Sequence, residues 1–125
     1  LKLDVSAPFH TSLMRSAANR LEEDLRNITF RQPKFDILHN VNFKTEKSPK
    51  AIKELVLEQI YSPVLWSETI HAMNIYNLFG IIECGAGRIL TGLVKRIHKG
   101  YESFSSDNLT DYEKTLTMLK RRINQ

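Results

Sequence analysis

Val5-Ser6-Ala7-Pro8-Phe9-His10-Thr11-Ser12-Leu13-Met14 joins two kinds of periodicity. On its N-terminal side Leu3 and Val5 alternate with Lys2 and Asp4, a strand pattern. Pro8 has no N–H for a ladder and biases Ala7 toward an extended backbone. On the C-terminal side apolar residues begin to recur at helical spacing, and Thr11 or Ser12 can cap that helix. His10 is thereby expected in a turn at the C-terminal end of a strand, where open α/β sheets place their ligand and catalytic groups. Taken on spacing alone, a packed or surface histidine beside a turn is the plainer alternative.

The helix after this turn is expected over Thr11 to Ile28, with Leu13, Met14, Ala17, Leu21, Leu25 and Ile28 on its apolar face. Gln32-Pro33 closes it, a short strand is expected at Phe35 to Leu38, and Lys44 to Lys50 reads as polar loop. His39 has no second ligand at metal-binding spacing and reads as a packed or surface residue. Ser48-Pro49 starts a second helix, a capping hydroxyl followed by Pro at the first helical position. It runs to about Ile60, because Pro63 cannot continue it. Gln59 lies beside its apolar stripe, where an amide without partners would cost about 1–3 kcal/mol. Trp66 anchors the next segment, and Ser67 can cap a helix through about Tyr76 that carries His71.

Leu78 to Glu83, L-F-G-I-I-E, has the composition of a parallel strand buried on both faces. Gly85-Ala86-Gly87 then turns the chain into a helix over Arg88 to Lys99. Its expected core face is Ile89, Leu90, Leu93, Val94 and Ile97, with Lys95, Arg96 and Lys99 opposite. The turn imitates a dinucleotide fingerprint, but the third glycine position holds Leu90, so that function is excluded. Ser103 to Asn108 reads as a polar linker and Thr110 to Ile123 as a final helix. The expected division is 1–100 as one body, then 101–125 as linker and C-terminal helix.

The 125 residues suit one domain or part of a larger one, and 42% hydrophobic with 26% charged residues describes an ordinary globular composition. No apolar run approaches the roughly 18 residues of a membrane span, and no signal-peptide layout is present. A lone cysteine, Cys84, excludes an internal disulfide and fits a reducing, cytoplasmic setting. The net charge of +4 allows an acidic partner without implying nucleic acid. The chain opens in a strand with no initiating methionine, which suggests a fragment.

Three stretches in order, S-A-P-F-H-T-S-L-M from Ser6, E-Q-I-Y-S-P-V-L-W from Glu58 and E-C-G-A-G-R-I-L-T-G-L from Glu83, resemble the malonyl-CoA:acyl carrier protein transacylases. The acyltransferase domains of fatty acid and polyketide synthases share the histidine stretch. The resemblance implies the C-terminal portion of an α/β-hydrolase-like acyltransferase core, with two or three short parallel strands and four or five helices. It implies malonyl transfer from malonyl-CoA to the pantetheine thiol of acyl carrier protein in fatty acid biosynthesis, with no bound cofactor and no metal. His10 matches the family's general base, and Gln59 matches the glutamine whose carbonyl oxygen orients it. Phe9 matches a position that accompanies malonyl selection. Lys95, Arg96 and Lys99 are expected to dock the acidic carrier protein. No G-x-S-x-G nucleophile elbow occurs in these 125 residues. The resemblance therefore implies that the serine lies in an N-terminal half that would be this chain's partner, and that the chain alone is inactive. Where the family usually has Pro in the glycine turn, this chain has Ala86. Resemblance fades after about Lys99. The competing reading is a non-catalytic module in which Lys95, Arg96, Lys99, Lys120, Arg121 and Arg122 hold an acidic protein or nucleic acid. No nucleic-acid motif accompanies those charges.

Overall fold

The computed structural model describes residues 7–124. The expected strand around Leu3 and Val5 lies outside them. The described chain is mixed α/β, with five α-helices and a two-stranded parallel sheet, as expected. It divides into two compact units, one ending at Ala72 and the other beginning at Met73.

In the first unit, the Pro-Phe-His turn leads into a 3-10 turn, Ser12–Met14, and then helix α1, Arg15–Leu25. Neither Thr11 nor Ser12 caps α1. Thr11 Oγ1 donates instead to the Pro8 carbonyl at 2.7 Å, closing the turn that holds His10. The helix is shorter than expected at both ends, and Leu13 and Ile28 are exposed. Ala18 and Leu25, seven residues apart, carry its buried face. That face packs on helix α2, Pro49–Tyr61, through Ile52. Lys53 Nζ donates to the Leu25 carbonyl at 2.6 Å, a second bond beside the one that carbonyl accepts from the Ile28 N–H, and so ties α2 to the end of α1. Ser48 caps α2 by accepting from the Ala51 N–H, with Pro49 in the first turn, as its sequence dictates.

Phe35 to Leu38 is not a strand. Leu38 makes only an isolated antiparallel bridge to Thr45, and Phe35 is 76% exposed. Just after this stretch the chain turns, the Phe43 N–H donating to the His39 carbonyl at 2.8 Å, and the Asn40 carbonyl accepts from the Leu65 N–H at 2.8 Å. Helix α3, Trp66–Ala72, begins at Trp66, so Ser67 is inside it rather than capping it. Its Ile70 is completely buried.

The second unit opens with a 3-10 segment, Met73–Tyr76, followed by strand β1, Gly80–Glu83. β1 pairs in parallel with β2, Glu102–Ser105, in the register Gly80 to Glu102 through Glu83 to Ser105. The linker reading of Ser103 to Asn108 is thus corrected: Ser103 to Ser105 belong to β2, and Asn108 caps helix α5, Leu109–Ile123, by accepting from the Asp111 N–H. β1 is half-buried along its length, not enclosed on both faces. Gly80 is required by the pairing, since a Cβ there would lie 2.7 Å from the Glu102 carbonyl oxygen.

Helix α4, Ile89–Ile97, follows the glycine turn. Gly85 and Gly87 have φ of 125° and 90°, values that disfavour other residues. Val94 and Thr91 are the buried residues of α4, whereas Ile89 is 76% exposed and Leu90 also faces out. The expected core face is therefore rotated, because Thr91 is drawn inward by Glu83. That carboxylate accepts from the Leu90 N–H, from the Thr91 N–H at 2.8 Å and from the Thr91 hydroxyl at 2.6 Å. The Thr91 hydroxyl, followed by the main-chain N–H groups, holds the Glu83 carboxyl below its ordinary value of 4.5. A depressed carboxylate stabilises the fold above its unfolded-state pKa, and that contribution is lost as pH falls through its lower folded value. Melting temperature followed from neutral pH downward should therefore drop more steeply below about pH 4.5 in the intact protein than in its Glu83→Gln variant. Parallel curves for the two proteins would remove Glu83 from the acid response.

Candidate active site

The site is built where the start of α1 and the end of α2 meet. His10 Nδ1 lies 2.7 Å from the main-chain oxygen of Gln59, forty-nine residues away in sequence. Because a carbonyl only accepts, the contact requires the proton on Nδ1 and leaves Nε2 of the neutral ring as a base. The ring is exposed, and among the described residues Nε2 makes no hydrogen bond.

His10 holds φ of 58°, a left-handed conformation more accessible to His than to most residues but still unfavourable. Pro8 and the Thr11 hydroxyl bond flank it. The Arg15 guanidinium stacks 4.2 Å from the Tyr61 ring centroid, pinning the first turn of α1 to the last turn of α2 beside the contact. Gln59 is half-buried; its main chain, not its amide, meets the histidine.

Were the helix to continue, a carbonyl would accept from the N–H four residues on. For Gln59 that residue is Pro63, which has no N–H. In sequence Pro63 reads as a helix stop. The Gln-to-Pro spacing of four was the available signal that this oxygen would be free for another donor.

Phe9, next to His10, is 55% exposed. Lys95, Arg96 and Lys99 are exposed on the second unit, and Lys95 and Lys99 line a groove of about 430 Å³ with Tyr101, Glu102, Ser103 and Phe104. Cys84 is a free, exposed thiol following β1. Among the described residues no group of three or more His, Cys, Asp or Glu side chains comes together to hold a metal ion, and no helix is long and apolar enough to cross a membrane.

The chain as a whole is similar to known proteins. The malonyl CoA-acyl carrier protein transacylase of Escherichia coli K12 is 39% identical over 97 residues, which span 78% of this chain and 31% of that protein. The chain is related to the C-terminal part of the malonyl CoA-acyl carrier protein transacylases. The crystal structure of such a transacylase from Xanthomonas oryzae pv. oryzae superposes with a TM-score of 0.86 at 36% identity, covering 94% of this chain and 38% of that one. A structure of a type II polyketide acyl carrier protein in complex with its malonyl-transacylase matches with a TM-score of 0.81 at 37% identity, covering 89% and 36%. The chain thus spans about a third of the length of the transacylases it matches. No family model matches the sequence.

Proposed function

We propose that this chain carries the general base of an enzyme that moves a malonyl group from malonyl-CoA to the pantetheine thiol of acyl carrier protein. The observation that carries the reading is the His10 Nδ1 contact with the Gln59 main-chain oxygen, in a chain related to transacylases. The serine nucleophile is assigned to a part of the enzyme outside these 125 residues, since no G-x-S-x-G occurs in them. His10 Nε2 takes the serine proton as the hydroxyl attacks the thioester carbon. The tetrahedral intermediate expels the coenzyme A thiolate, which takes the proton from the imidazolium, and an acyl-serine remains. The carrier thiol then gives its proton to Nε2 and attacks the acyl-serine. Collapse returns the proton to the serine oxygen and releases malonyl carrier protein. The chain by itself performs none of this, because no acyl-enzyme forms without the serine; Cys84, the one thiol, has no basic residue beside it in sequence.

In the intact enzyme His10→Ala should lower malonyl transfer by about 10²–10⁴-fold, the usual worth of a general base. Gln59→Ala, which keeps the main-chain oxygen, should leave transfer close to the parent. The measurement is initial-rate transfer to carrier protein, with circular dichroism to establish that both variants fold. Near-parental turnover by His10→Ala would overturn the assignment.

Phe9 is proposed to narrow the acyl pocket. Competition between malonyl-CoA and methylmalonyl-CoA should move toward the branched substrate in Phe9→Ser, by at most about 10–200-fold for one methyl group. An unaltered ratio returns Phe9 to simple packing.

Lys95, Arg96 and Lys99 are proposed to attract the acidic carrier protein. Reversing the charge of Lys95 and Arg96 should raise the apparent KM for carrier protein, with the difference shrinking as salt rises past about 0.15 M. A salt-independent or absent difference leaves them as a solvated helix face.

A further inference from the structure

The contact between His10 and Gln59 leaves open why this carbonyl is available. In the body of a helix every carbonyl oxygen is occupied by an amide four residues ahead. At a helix end the chain can still close such bonds by adding a residue or tightening into a 3-10 turn. Any of these would place a competing donor against the Gln59 oxygen.

Three observations show this closure blocked. Residue 63 is proline, so the amide due to Gln59 does not exist. Ser62 has φ of −114° and ψ of 150°, the extended conformation that a following proline imposes, so α2 ends at Tyr61. Beyond Pro63 the chain is led away by the Leu65 N–H, which donates to the Asn40 carbonyl at 2.8 Å.

We infer that Pro63 is a positioning residue for His10: by withholding the N–H that would cap Gln59, it keeps that carbonyl oxygen as a dedicated acceptor for His10 Nδ1–H and so sets the imidazole tautomer. The inference rests on the proposed role of His10 for its consequence in catalysis, but not for its structural content. Pro63 is exposed and touches no reacting atom; it acts through the helix end alone. Gln59 cannot supply this control, since every residue type except proline at position 63 carries the competing donor.

The test uses the intact enzyme with ¹⁵N-labelled histidine. In the parent, the ring shifts of His10 should report a single neutral tautomer protonated on Nδ1. Pro63→Ala should convert this to a mixture dominated by the Nε2-protonated form and lower kcat about tenfold, the scale of one ordinary hydrogen bond, with KM for malonyl-CoA unchanged. Pro63→Gly adds the same N–H in a weaker helix former and takes over if Pro63→Ala does not fold. A backbone ester at position 63, made with lactate in place of proline, removes the ring without adding an N–H and should retain the parental tautomer. Parental tautomer ratios in both Pro63→Ala and Pro63→Gly would overturn the inference. So would an ester variant that behaves like Pro63→Ala, since that would assign the effect to the ring. His10→Ala with full activity would instead remove the base assignment while leaving the tautomer result standing.

Discussion

The hydrogen bond from His10 to the Gln59 main-chain oxygen is the constraint on which the site depends, and it is weak by itself. A net intramolecular hydrogen bond contributes about 0.5–1.5 kcal/mol. Holding His10 in the left-handed region, at φ of 58°, costs about 1–2 kcal/mol. The bond therefore does not hold the turn; at best it offsets the strain. What holds the turn is the packing of α1 on α2 through Ala18, Leu25 and Ile52, the Arg15–Tyr61 stack, and the Thr11 bond to Pro8. Apolar burial fixes where two helix ends meet, and the polar contact then selects a tautomer.

A main-chain acceptor differs from a carboxylate in two ways. It carries no full charge, so it stabilises an imidazolium less, although the carbonyls at a helix C-terminus together present about half a negative elementary charge. In the proposed transfer a thiolate leaves, which asks less of the base than an amine or alkoxide would. A main-chain oxygen also survives substitution of its own side chain. Control passes to whatever sets the length of the helix, which here is Ser62-Pro63.

Features that rest on local chemistry were legible in the sequence. Ser48-Pro49 announced the start of α2, Pro63 its end, and L-F-G-I-I-E the first strand, although pairing begins only at Gly80. The left-handed glycines of the E-C-G-A-G turn follow from the same chemistry. Features that rest on partners were not legible. Glu102-Ser103-Phe104-Ser105 is too polar and short to signal a strand; it becomes one because Gly80 lets its backbone approach β1. Phe35 to Leu38 has strand composition without an adequate partner and makes only one bridge. Periodicity gave α4 an apolar stripe, but Thr91 turned inward toward the Glu83 carboxylate and left Ile89 outside. His10 and Gln59 were singled out by resemblance, since a separation of forty-nine residues hides their contact from any local pattern.

The two units close their helix ends by opposite devices with one electrostatic logic. In the second unit an anion, Glu83, sits against the free N–H groups that begin α4. In the first, an imidazole sits against a free carbonyl near the end of α2. Each group is the sign, or the donor, that its end of a helix dipole favours. The consequences differ because the groups differ. The Glu83 carboxylate accepts from Leu90 and Thr91, so it is committed to holding β1 against α4. His10 spends one nitrogen on the helix and keeps the other for an incoming proton. A histidine can be both a helix-end donor and a base only where the helix offers an acceptor that no amide has claimed, and residues 59 to 63 meet that condition.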